Sequence, residues 1–488
     1  MGGSSLCPEV LATTFAATDD LPRLRILDST DPQQITALED AINLARTLFI
    51  VSSKSGTTLE PNIFAAYFQA RLTDLLGADA AARQFIAITD PGTPLEQLAD
   101  RAGYRAVFHG WPTIGGRYSA LSDFGMIPGA ASGVAVADLL DRAERMAHAC
   151  APCVQGVDNP GLALGAVIGV CATAGHDKLT LVTSASIRGF GAWLEQLLAE
   201  STGKNGKGVI PVDREPLGAP DVYGDDRIFV YVGSTVDGVG CAEIDAQLAT
   251  LEGAGHPVVR LKMNDTYDVG EQFYLWEIAT AAAGSVLQID AFDQPNVQES
   301  KDNTKALLAE YAAKGTIGEP ATNVDGPAFD VTYLSGSSSL SAGDANAALA
   351  GLLGQVTAGD YVALTAYIAR DEKHEALLRE LRVKIRDAKK VATTVGFGPR
   401  FLHSTGQEHK GGPDTGVFVQ ITADSTFDLQ IPGMNVGFRT LIAAQALGDL
   451  ESLDKRNRRG VRVHLKGDLD RGLAALSQTI DEALMAKT

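Results

Sequence analysis

A short apolar run ends at Val51 in Ser52-Ser53-Lys54-Ser55-Gly56-Thr57-Thr58, and a helical pattern follows from about Leu59. Hydroxyls, a glycine and a lysine at a strand-to-helix turn suit an anion. There the backbone N–H groups and the helix dipole point at the same place as the side-chain donors. Glycine lets the backbone approach the ligand closely. A helix cap needs one hydroxyl. Six hydroxyl or amine side chains in seven positions exceed that need and favour a phosphate.

Other segments carry candidate chemistry with weaker individual signals. Gly2-Gly3-Ser4-Ser5 precedes a helical stretch at 8–15 and suits a cap or an anion turn. Arg117, in Gly115-Gly116-Arg117-Tyr118-Ser119, follows two glycines and reads equally as a surface turn or as a guanidinium aimed into a cleft. Glu200 ends an amphipathic pattern at 191–199 and precedes Ser201-Thr202-Gly203-Lys204. A carboxylate there is a candidate base, although a solvated helix end with Gly203 as C-cap is the simpler reading. Asp293-Gln294-Pro295-Asn296 leads into a helix that carries Lys301 one turn in. His403 and His409 lie in Leu402-His403-Ser404-Thr405-Gly406-Gln407-Glu408-His409-Lys410-Gly411-Gly412. Their spacing fits neither H-E-x-x-H nor a zinc-finger pair, so an acid/base histidine is the better functional reading, beside a purely structural histidine, and no metal is expected.

Positioning these groups requires alternating strands and helices. Apolar β-branched runs predict strands at 46–51, 84–89, 104–109, 178–183, 227–232, 257–263, 361–368, 417–421 and 461–465. Helical stretches lie between most of them, which predicts α/β architecture with mainly parallel sheets. The Ala/Gly/Val-rich stretch 162–174 reads as a buried helix, 129–133 as a linker and the Ser-rich 335–342 as a surface loop. A division into residues 1–150 and 151–488 is expected.

With 488 residues, two or three domains are expected. A net charge of -19 excludes nucleic acid as a partner, since phosphate backbones need a basic face. No apolar run is long enough for a membrane helix, and the opening residues lack the pattern of a secretory signal. Five cysteines without a framework fit a reducing cytoplasm, the expected location. Cys150-x-x-Cys153 reads as chance spacing at a helix end.

Together these motifs resemble the phosphoglucose isomerase family. The resemblance implies two sugar-isomerase (SIS-type) doubly wound domains and the interconversion of glucose 6-phosphate and fructose 6-phosphate without a cofactor. Gly3 and Ser4 match the family's Gly-Gly-Ser turn. Ser53, Lys54, Ser55, Thr57 and Thr58 match its phosphate loop. Arg117 matches Gly-Gly-Arg-Tyr-Ser. Glu200, in Glu-Ser-x-Gly-Lys, becomes the implied base. Gln294 and Lys301 match positions of the family's Asp-Gln-x-x-Val-Glu-x-x-Lys motif, and His403, with Lys301, becomes the implied ring opener, with His409 in reserve. His403 follows Lys301 here, whereas many bacterial members have the reverse order. The wording of several motifs further resembles the isomerase half of a fused bacterial transaldolase/phosphoglucose isomerase. That implies an upstream transaldolase domain and a first strand preceding Met1. The expected partners are a sugar phosphate and, as in many members, a second copy in a homodimer. Three other readings stand beside this one: a non-catalytic SIS-type binding module, an inactive fragment, and an aminosugar-phosphate isomerase.

Overall fold

The computed structural model describes residues 2–15, 20–340, 343–425 and 427–485. Met1 and the end of the Ser-rich stretch, Ser341 and Ala342, lie outside the described residues.

Three sheets organise the chain. Strands β1 (Phe49–Ser52), β2 (Phe85–Thr89) and β3 (Ala106–His109) pair in parallel in the order β1-β2-β3. The second sheet holds β4 (Lys178–Thr183), β5 (Ile210–Val212), β6 (Arg227–Ser234) and β7 (Val258–Met263), all parallel, in the order β5-β4-β6-β7. The third holds β8 (Val324–Asp325), β9 (Phe329–Tyr333), β10 (Tyr361–Tyr367), β11 (Ala392–Phe397), β12 (Gly416–Ala423) and β13 (Arg459–Leu465). Its order is β11-β10-β12-β13-β9-β8, with antiparallel pairing only where β9 meets β13 and β8. The predicted α/β class with mainly parallel sheets is what the structure has. The second and third sheets both fall within residues 151–488.

The strand sequences explain this pairing. Parallel strands covered by helices on both faces are apolar almost throughout. Every residue of β6 and of β10 is buried. The outer edge of β1 borders a cavity of about 710 Å³ lined by Leu24, Ile26, Phe49, Phe64 and Phe68.

The helix Phe190–Thr202 is central. It packs against the helices Gly3–Thr14, Val269–Leu287 and Gly406–Gly411, and every residue from Gln196 to Thr202 is buried. The hub thereby connects the N-terminal turn, the second sheet and the His403 segment.

Three expectations need correction. The helix Pro160–Thr173 is not wholly buried, because Leu162, Val167 and Val170 are exposed. Only the face carrying Gly161, Gly165 and Gly169 meets Val269–Leu287, so closely that a Cβ on Gly165 would lie 2.4 Å from the Ala279 carbonyl oxygen. Their four-residue spacing serves close helix packing. Residues 129–131, read as linker, complete the helix Asp123–Ala131, where buried Gly129 lies against Leu11. The segment 335–342 is also not simply a surface loop. Its Ser337 is fully buried, and Ser337 Oγ accepts from Gly460 N at 2.9 Å. No helix among the described residues is long and apolar enough to cross a membrane.

Candidate active site

Glu200 lies in the last turn of Phe190–Thr202, one turn after Gln196, so the two side chains share a face. The Gln196 amide donates to Glu200 Oε2 at 3.0 Å and to the His403 carbonyl at 2.8 Å. Glu200 is buried rather than solvated at a helix end. Burial raises its pKa above the usual carboxylate value, against the opposing pull of Arg117, His403, the Gln196 amide and Lys301.

Arg117 stands on a 3-10 turn, Gly116–Tyr118, and is 2% exposed. Its Nε donates to Ser201 Oγ at 2.6 Å and its Nη1 to Gln294 Oε1 at 2.8 Å. Its Nη2 donates to the carbonyls of Ala291 at 2.7 Å and Asp293 at 2.9 Å. Nη1 is also 3.8 Å from Glu200 Oε2. The guanidinium therefore fixes the turn that carries Gln294 and keeps a positive charge beside the carboxylate.

The N-terminal turn closes on this cluster. A Cβ on Gly3 would lie 1.9 Å from the Gly116 carbonyl oxygen, and one on Gly2 would lie 2.9 Å from Gln196 Nε2. Gly2 has φ 66°, in the left-handed region open to glycine. Ser4 Oγ donates to the Ser52 carbonyl at 3.3 Å, which joins the turn to the end of β1.

The Ser/Thr loop follows β1. Ser53 Oγ is buried and has no hydrogen-bond partner among the described residues. Thr58 is the N-cap of the helix Leu59–Leu76, but its side chain makes no capping bond. These two hydroxyls are therefore not used as caps. Ser55 and Thr57 hydroxyls bond each other at 2.9 Å, and Gly56 turns at φ 65°. Lys54 is directed elsewhere: Nζ pairs with Asp90 and donates to the Trp111 carbonyl at 3.0 Å.

His403 ends the 3-10 turn Arg400–His403 beyond β11. Its Nε2 is 3.4 Å from Oε1 of Glu60, in the first turn of Leu59–Leu76. Burial would raise the Glu60 pKa, but the charge and hydrogen bond of His403 outweigh it and hold the carboxyl at about 2. Lys301 is exposed on the first turn of Val297–Lys314. His409, the reserve candidate, stands in the core, its ring centroid 5.1 Å from that of Phe418 and 5.8 Å from that of Phe401. Burial drives its pKa well below the usual value, an effect Lys410 and Arg458 reinforce.

The structure thus brings Gly3, Ser4, Arg117, Glu200, Gln294 and His403 together, and Glu60 links them to the helix that follows the Ser/Thr loop. Three contributors escaped the sequence reading. Gln196 had a usable signal, since it precedes Glu200 by one helical turn. Glu60 follows the loop directly, but an acid in a first helical turn ordinarily only complements the dipole. Gln407 bonds the Gly203 carbonyl at 2.7 Å and both Asn296 Oδ1 and Asn296 N at 2.8 Å, clamping two motif loops together.

Parallel α/β sheets meeting at a buried carboxylate, a guanidinium and a histidine–carboxylate pair, beside a hydroxyl-rich loop, define an acid/base enzyme architecture. The phosphoglucose isomerase family model matches residues 1–214. The glucose-6-phosphate isomerase of Symbiobacterium thermophilum is 31% identical over 315 residues, covering 57% of this chain and 69% of that protein. The probable glucose-6-phosphate isomerase of Haloarcula marismortui is 29% identical over 356 residues, covering 65% and 78%. Among solved structures, a hypothetical protein from Thermus thermophilus is 26% identical with a TM-score of 0.57, over 63% of this chain and 82% of that one. A glucose-6-phosphate isomerase from Chlamydia trachomatis shares the fold, with 21% identity, a TM-score of 0.55 and coverage of 64% and 69%. This chain belongs to the phosphoglucose isomerase family.

Proposed function

We propose that this protein is a glucose-6-phosphate isomerase that moves a proton between C1 and C2 of the open-chain sugar phosphate through a cis-enediol. The observation that carries the reading is Glu200: a buried carboxyl of raised pKa, with Arg117 Nη1 3.8 Å away and Gln196 linking it to the His403 segment.

In this reading the phosphate sits on Ser4, Ser53, Ser55 and Thr58 and on the N–H groups at the start of Leu59–Leu76. His403, with Lys301, opens the ring. Glu200 removes the proton next to the carbonyl and returns it to the neighbouring carbon. A raised carboxyl pKa suits this work, because a base is most effective when its pKa lies near the working pH. Arg117 stabilises the negative charge that develops on oxygen. Gln294, held by Arg117, presents its amide to the sugar.

The test is a coupled assay for glucose 6-phosphate formed from fructose 6-phosphate. Turnover supports the proposal. Binding of fructose 6-phosphate without turnover would favour the binding-module reading, and turnover of an aminosugar phosphate alone would favour the aminosugar-phosphate isomerase. The motif wording also supports reading this chain as the isomerase half of a fused enzyme, which transaldolase-coding sequence in the same reading frame would bear out.

A further inference from the structure

Behind the His403–Glu60 pair stands a polar chain that reaches into the far end of the sequence. Oε1 of Glu60 accepts from His403 Nε2 at 3.4 Å and also from Gln445 Nε2 at 2.8 Å. Gln445 lies on the helix Phe438–Asp454 and is 3% exposed. Its own Oε1 accepts from the hydroxyl of Thr30, at 2.7 Å, and Thr30 is fully buried. An amide oxygen only accepts, so the threonine must donate, and the NH₂ end of the amide must face Glu60. A flipped amide would set its oxygen against the carboxylate. The carboxylate thus sets the orientation of the Gln445 amide, and the Thr30 hydroxyl, donating to the amide oxygen, anchors it there.

The consequence reaches His403. Glu60, its pKa held at about 2, is a carboxylate and only accepts, so the hydrogen in its contact with His403 must be carried by His403 Nε2. That leaves Nδ1 as the nitrogen able to exchange a proton. We infer that Gln445, anchored by Thr30, is a positioning residue for ring opening, fixing through Glu60 the His403 tautomer that works through Nδ1. The inference rests on the isomerase reading. In the step it serves, the bond between the anomeric carbon and the ring oxygen breaks. His403 enters this step as the imidazolium: its Nδ1 proton passes to the ring oxygen, which leaves the Nε2–H tautomer held by Glu60, while the anomeric hydroxyl gives up its proton to water and the carbonyl forms. No oxidant or reductant is involved.

A purely structural role would impair every substrate alike. A positioning role in ring opening would impair only substrates that arrive as rings. The test compares fructose 6-phosphate with 5-deoxyfructose 6-phosphate, which lacks the hydroxyl that closes its ring. Each is followed by NMR for deuterium incorporation at C1 in D₂O. Gln445→Leu should slow exchange into fructose 6-phosphate about 10–100-fold, the range typical when the partner of a working histidine is lost. Exchange into the open-chain analogue should stay within about twofold. Thr30→Val should reproduce this selectivity in milder form, and Thr30→Ser, which keeps the hydroxyl, should restore the parent rates. If Gln445→Leu does not fold, the Thr30 pair carries the comparison. Equal losses on both substrates, or no loss on fructose 6-phosphate, would overturn the inference. Failure of the unsubstituted protein on both substrates would instead overturn the isomerase reading on which it rests.

Discussion

Arg117 Nη1 lies 3.8 Å from Glu200 Oε2, outside hydrogen-bonding range but within close Coulombic reach. The spacing has a structural cause. The guanidinium donors already engage Ser201, Gln294 and the carbonyls of Ala291 and Asp293. The arginine therefore cannot collapse onto the carboxylate and quench it. Burial keeps the Glu200 pKa raised, and the positive charge stays beside the place where an enediolate would develop.

Arg117→Lys should damage both stability and turnover. An ammonium cannot reproduce the planar fork, so buried carbonyls lose their donor. Stability should fall by about 2–4 kcal/mol, read from urea unfolding. Turnover should fall about 10²–10³-fold, as for loss of one preorganised charge-stabilising group. Parent-like kinetics would remove Arg117 from the chemistry.

The Ser/Thr loop, proposed to hold the phosphate, allows binding and folding to be separated. Ser53 Oγ is buried without a hydrogen-bond partner among the described residues, and Thr58 makes no side-chain cap. Replacing both with alanine should leave the melting temperature unchanged or slightly higher, because a buried unpaired hydroxyl costs free energy. The KM for fructose 6-phosphate should rise at least about a hundredfold, as for two lost hydrogen bonds to a charged group, with little change in kcat. A lower melting temperature with an unchanged KM would mean that the loop is only structural.

Glu60 gives a pH prediction with a definite sign. Its folded pKa of about 2 lies below the ordinary value of 4.5. A depressed carboxyl contributes stability above its unfolded pKa and loses it as pH falls through the folded one. The shift corresponds to about 3 kcal/mol. The stability advantage of the parent over Glu60→Gln should shrink as pH falls from 4.5 towards 2. Denaturant unfolding of both proteins across acidic pH measures it. A constant gap would show that His403 does not hold the carboxylate ionised.

What was legible in the sequence divides along physical lines. Strands such as β2 and β10 are apolar along most of their length, so their composition marked them. β11, Ala-Thr-Thr-Val-Gly-Phe, offered no such run, because Thr393 and Thr394 are buried through hydrogen bonds and packing that only the fold supplies. The same holds for the three-residue β5 and the antiparallel β9. The helix Pro160–Thr173 misled because apolar composition does not tell which face finds a partner. Site residues grouped in local motifs were visible. Gln445 was not, since its partners Thr30 and Glu60 are 415 and 385 residues away in the chain. Residue type and spacing alone do not separate His403 from His409; the family motif favours His403, and tertiary packing sets it against Glu60 and His409 against Phe418.

The central claim is that Glu200 carries the proton between C1 and C2. It is tested most directly by steady-state kinetics of Glu200→Gln beside the parent, in the coupled assay from fructose 6-phosphate. The amide keeps the shape of the side chain and its place beside Gln196 but cannot accept the proton. The account predicts a KM within about threefold of the parent and a kcat lowered at least about 10³-fold, within the range of positioned acid/base groups. A variant that retains parent turnover would contradict it.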